Sequence, residues 1–87
     1  MTEKITVIKN RAGIHARPAT LIVKEASKFK SNVYIEKGSE KINAKSILCI
    51  LTLGGTYESE IKIIADGEDE IEAVDALINL IDSKFEE

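Results

Sequence analysis

The apolar residues of this chain change period several times within 87 residues, and that switching limits the folds open to it. "KITVIK" (Lys4 to Lys9) sets Ile5 and Val7 against polar neighbours with period two, which predicts a strand with one wet face. "NRAG" then supplies turn chemistry. From Ala16 the spacing becomes helical, and Ala19, Ile22, Val23, Ala26 and Phe29 share a face. Pro18 fits the first helical turn, where backbone N–H groups lack partners anyway.

"NVYIE" (Asn32 to Glu36) and "INA" (Ile42 to Ala44) read as further strands around a "KGSEK" turn. Ser46 precedes a short apolar helix, "ILCIL", with Gly54–Gly55 ending it or opening a loop. "EIKIIA" (Glu60 to Ala65) is the fourth strand. Asp69 with Glu72 forms a capping signature for a last helix whose apolar positions are Ile71, Val74, Leu77, Ile78, Ile81 and Phe85. Strand, helix, two strands, short helix, strand, long helix is the order of an α+β sandwich. Its helices lie on one side of a largely antiparallel sheet. The length fits one domain, residues 1–87.

Composition excludes several classes of function. Fifteen acids against twelve bases give a net charge of −3, which argues against nucleic acid or an anionic membrane as the main partner. Cys49 is alone, so no internal disulfide forms and a reducing, cytoplasmic setting is expected. No run approaches the roughly 20 apolar residues that span a bilayer. One histidine and one cysteine, far apart, do not make a metal site, and no cofactor is implied.

The only histidine and the only proline lie together in "NRAGIHARPA" (Asn10 to Ala19). With a helix starting near Ala16, His15 stands beside the free N–H groups of Ala16 and Arg17. A helix N-terminus carries roughly half a positive charge and favours anions. The same field disfavours a cation at that point. The Arg17 guanidinium acts in the same sense and offers planar donors for phosphate oxygens. Gly13 lets the chain bend before the ring. These parts suit a group that accepts a phosphoryl on nitrogen, holds it and gives it up. A histidine near a helix start is commonly without function; here no serine-type triad or paired carboxylates offer competing chemistry.

"GIHARPA" (Gly13 to Ala19) followed by "AKSILCILTLG" (Ala44 to Gly54) resembles the HPr family, the histidine-containing phosphocarriers of the bacterial phosphoenolpyruvate:sugar phosphotransferase system. That resemblance implies an open-faced β-sandwich, four antiparallel strands in the order 1-4-2-3 covered on one face by three helices. It implies that His15 takes a phosphoryl group on Nδ1 from phosphorylated enzyme I, itself charged by phosphoenolpyruvate, and passes it to a histidine of a sugar-specific enzyme IIA. Arg17 would steady the group in transit, with the backbone of Ala16 and Arg17 in contact with it. No enzyme activity is implied, since the chain is a protein substrate in a relay and is expected to be a monomer.

Two further assignments follow from the same resemblance. Ser46 is a helix cap on physical grounds, and in the family the serine here can be phosphorylated by an HPr kinase/phosphorylase. The modified protein then serves a catabolite-control transcription regulator. The helix after it is too apolar to be core alone. In the family this helix, with the residue before the histidine and the arginine after it, forms the docking surface, so the resemblance assigns Ile14, Ile47, Leu48 and Leu51 to partner contact, with Arg17, Lys24 and Lys45 at the rim, and Cys49 partly exposed and incidental.

The sequence departs from the family at Ala12, where many members carry a small polar residue, in the place of Gly38, and in "TYESE", which lacks a common loop glycine. A corepressor acting only through its phosphoserine is the alternative function, but paralogues of that kind typically replace the histidine. A nitrogen-regulating branch of the relay and a plain interaction domain rank below both.

Overall fold

A computed structural model describes residues 1–86. Four strands, β1 (Thr2–Val7), β2 (Asn32–Lys37), β3 (Glu40–Asn43) and β4 (Glu60–Asp66), form one sheet in the order β1-β4-β2-β3. Every pairing is antiparallel. Three helices, α1 (Ala16–Ala26), α2 (Ile47–Leu53) and α3 (Glu70–Asp82), cover one face, and a single 3-10 turn (Lys84–Glu86) follows. The strand order is the one the family resemblance implied.

The core lies between the central strands and the helices. Val33 and Ile35 of β2, with Ile61, Ile63 and Ala65 of β4, meet Ile22 of α1, Ile50 of α2 and Val74, Leu77 and Ile81 of α3. Each such aliphatic side chain contributes about 1.5–3 kcal/mol by leaving water. Phe85, expected at the edge of the last helix, is 1% exposed and closes the core beyond α3.

Strand β1 turns the opposite way from the sequence reading. Ile5 is 60% exposed and Val7 also stands on the open face, whereas Thr2, Lys4 and Thr6 lie toward the helices. The reason is α3, which runs along this edge strand with a row of carboxylates. Thr2 donates to Glu70, the Lys4 ammonium reaches Asp75 at 2.8 Å, and Thr6 donates to Asp82 at 2.9 Å. Alternation alone cannot tell an apolar face from a polar face that has found polar partners.

Two expectations for α3 are also corrected. Ile71 is 60% exposed. At about 100° per residue it falls well off the stripe of Ala73, Val74, Leu77 and Ile81 that meets the sheet. Asp69 is the N-cap residue, but its side chain makes no capping bond. It accepts instead from the backbone N–H groups of Lys30 and Ser31, both at 2.9 Å, and from the Ser31 hydroxyl. Its carboxylate ties the entry of β2 to α3 rather than closing its own helix.

Candidate functional site

The segment between β1 and α1 is held along its length. The Ile8 N–H donates to Ser59 O at 2.9 Å and the Glu58 N–H to Ile8 O at 2.8 Å. The Gly13 N–H then closes a turn onto Asn10 O at 3.0 Å, and Asn10 Nδ2 donates back to Gly13 O at 2.6 Å. Gly13 has φ +73°, and a Cβ there would sit 2.5 Å from Gly55 O. Only glycine combines that torsion with that approach. The Ile14 N–H donates to Gly55 O at 2.8 Å.

Ile14, assigned to partner contact from the sequence, is instead buried. It is 7% exposed and its side chain rests on Gly55, where a Cβ would come within 2.9 Å of Ile14 Cδ1. The chain has buried the residue before the histidine to anchor the histidine itself.

His15 is the N-cap residue of α1, in extended conformation with φ −125°. Its carbonyl accepts the first helical bond, from the Ala19 N–H at 2.9 Å, but its ring makes no capping bond and is exposed. The N–H groups of Ala16 and Arg17 precede that first bond and meet no acceptor among the described residues; Pro18 has no N–H. The first turn contains no acidic residue. Arg17 is exposed and makes no ion pair among the described residues. The structure thus groups an accessible imidazole, two unpaired backbone donors, a helix dipole and a guanidinium, which together favour an anion at the ring.

Helix α2 lies alongside. Ser46 caps it, its hydroxyl accepting from the Cys49 N–H at 3.4 Å, and Gly54 ends it in left-handed conformation at φ +64°. Ile50 and Leu53 turn inward, while Ile47, Leu48 and Leu51 are 41%, 72% and 40% exposed. Cys49 is half-buried. The two ends of α2 reach opposite ends of α1: Gly55 touches Ile14, and the Lys45 ammonium donates to Phe29 O at 2.9 Å. Ser46 is thus separated from His15 by a helix about 10 Å long. Lys45 is half-buried and bonded, whereas Lys24, also assigned to the rim, is exposed in the last turn of α1.

The residues that pattern reading missed are those that hold the site from behind. Gly55 is hinted at by the "GG" pair and Asn10 by the "NRAG" turn, but nothing in the sequence shows that Asn10 is buried or that it bonds Gly13 O. Glu58 adopts φ +69°, so the loop noted for its missing glycine does need a left-handed residue and meets that need at a steric cost. Ala12 is exposed and brings no polar side chain to the site.

Comparison with known proteins agrees with this geometry. Residues 2–83 match the PTS-HPr family model, described as the PTS HPr component phosphorylation site. The phosphocarrier protein HPr of Treponema pallidum is 40% identical over 87 residues, covering all of this chain and 99% of that one. The HPr-like protein Crh of Halalkalibacterium halodurans is 44% identical over 84 residues, covering 97% of this chain and all of that one. Among solved structures, HPr-C-His from Thermoanaerobacter tengcongensis superposes with a TM-score of 0.96 at 50% identity, covering 100% of this chain and 98% of that one.

Proposed function

The chain belongs to the HPr family of the phosphotransferase system, and from that premise we propose that it carries a phosphoryl group on His15 between enzyme I and a sugar-specific enzyme IIA. The supporting observation is the unfilled start of α1, where the His15 ring is exposed and uncapped beside the free N–H groups of Ala16 and Arg17. A neutral ring with its proton on Nε2 presents the Nδ1 lone pair to phosphorus. As the new N–P bond forms, the N–P bond to the enzyme I histidine breaks and its electron pair returns to that donor nitrogen. No proton need leave His15. The Arg17 guanidinium and the two backbone donors receive the oxygens as charge moves across. Transfer to enzyme IIA repeats the step with His15 as the leaving group.

The docking surface in this reading is the exposed face of α2, Ile47, Leu48 and Leu51, with Arg17 and Lys24 beside it. A carrier must release its partners quickly, and a small apolar patch suits a transient contact. The protein works as a cytoplasmic monomer. Phosphorylation of Ser46 would leave about two negative charges on the α2 N-terminus, an arrangement that leaves the helix intact and alters the docking face.

The first test incubates the protein with enzyme I, magnesium and phosphoenolpyruvate and reads its intact mass at alkaline pH. One acid-labile phosphoryl group is expected, absent from His15→Ala, and Arg17→Ala should slow its arrival about a hundredfold. No added mass with an enzyme I active on another carrier refutes the relay. The likeness to proteins named HPr-like protein Crh then favours the second reading, a regulator phosphorylated at Ser46 that serves a transcription regulator.

A further inference from the structure

We infer that Asn10 is a positioning residue for His15, an assignment that rests on the carrier reading above. Asn10 and Ser31 are the buried polar residues among those described, at 2% exposure each. Ser31 is explained by its bonds to Asp69. Asn10 has no such account. Its Nδ2 donates to Gly13 O at 2.6 Å, but its Oδ1 is buried with no hydrogen-bond partner among the described residues. A neutral hydrogen bond contributes about 0.5–1.5 kcal/mol, while an unsatisfied buried acceptor costs about 1–3 kcal/mol. Stability alone would place an apolar side chain here.

What Asn10 adds is placement. The Gly13–Ile14 peptide plane is rigid and both its polar ends are held, its C=O by Asn10 and its N–H by Gly55 O at 2.8 Å. One residue later comes His15, whose ring makes no hydrogen bond to another side chain among the described residues. A nucleophile is ordinarily oriented by a group bonded to it. Here the orientation comes through the backbone: from Asn10 and Gly55 to the pinned peptide, then to the ring and its angle to the Ala16 and Arg17 donors. Ala12, lacking a polar side chain, takes no part. Loss of the Asn10 clamp leaves the docking face of α2 untouched and lets the acceptor nitrogen wander.

The test compares Asn10→Leu, similar in shape without polar atoms, and Asn10→Ala with the parent chain. Urea unfolding and enzyme I-dependent phosphoryl transfer at varied carrier concentration are measured on each. The expected result is a kcat about tenfold lower with KM unchanged in both variants, while Asn10→Leu unfolds at the parent urea midpoint or above it. A kcat equal to the parent in both overturns the assignment, as does a fall that matches the unfolded fraction. Failure of both variants to fold makes Asn10 a structural residue and also overturns it. If the parent itself accepts no phosphoryl group, the carrier reading has failed separately. The nitrogen shifts of the His15 ring and the exchange of the Ile14 amide then decide: altered in Asn10→Leu they retain the clamp, unaltered they dismiss it.

Discussion

Helices α1 and α3 begin in opposite ways. At α3 the chain supplies its own anions: Glu70 and Glu72 occupy the first turn, and Glu70 accepts from the Gly67 N–H at 3.3 Å, from Thr2 and from the terminal ammonium at 2.9 Å. The Thr2 hydroxyl foremost holds the Glu70 carboxyl down to about 2, and the Ser31 hydroxyl does the same for Asp69. At α1 there is no acid, no side-chain cap, an exposed arginine and an exposed imidazole. The same dipole is satisfied internally at one helix and left for an outside anion at the other. Neither start has a side-chain capping bond, so what separates the two is first-turn charge, acidic at α3 and absent at α1.

The largest expected effect comes from cutting the tie that the start of α3 makes to the sheet. Asp69→Ala removes three hydrogen bonds between α3 and the start of β2, and its urea midpoint should fall below those of the two variants that follow. The pH dependence gives a second reading of the same bonds. The folded carboxyl titrates near 2, below its unfolded value, so its contribution is complete above the ordinary carboxylate range and drains away as pH falls toward 2. Urea midpoints of the parent should drop across that window, and less steeply in Asp69→Ala. Equal slopes would break the contrast at α3.

The converse experiment closes the open end. Ala16→Asp places a carboxylate at the start of α1, where it should stabilise the fold by about 0.3–1 kcal/mol. The same charge competes with the incoming phosphoryl group, so transfer from enzyme I should slow about tenfold, a barrier of about 1.4 kcal/mol. A faster or unchanged transfer would mean that the field at α1 does not act on the reaction.

The smallest effect belongs to α2, which is intermediate because one hydroxyl caps it. Ser46→Ala should lower stability by about 0.5–1 kcal/mol in a thermal melt. A larger loss would show that Ser46 holds more than its own helix.

Much of this was legible in the chain. The element order, the α1 start at Ala16 and the Ser46 cap follow from local spacing, and the exposed Ile47, Leu48 and Leu51 from a short helix too apolar to be core alone. The errors share one cause. Ile5 is read from its own apolarity, Ile14 from the family's docking face and Asp69 from its own helix, yet each is settled by a distant partner: Gly55 for Ile14, the carboxylates of α3 for the facing of β1, and Ser31 for Asp69. A period reports which residues share a face, not which face another element will cover.

The sequence by itself determined the chemistry on offer: one imidazole, an arginine two residues later and a proline that fits a helix's first turn. Those depend on residue type and on spacing along one chain segment, where torsion angles carry the information. Only the tertiary structure decided how that imidazole is held. The contacts of Gly13 and Ile14 with Gly55 arise when the β1–α1 connection meets the end of α2. Hydrogen bonds and close packing between segments some 40 residues apart leave no periodic trace, because their geometry exists only after the segments have come together.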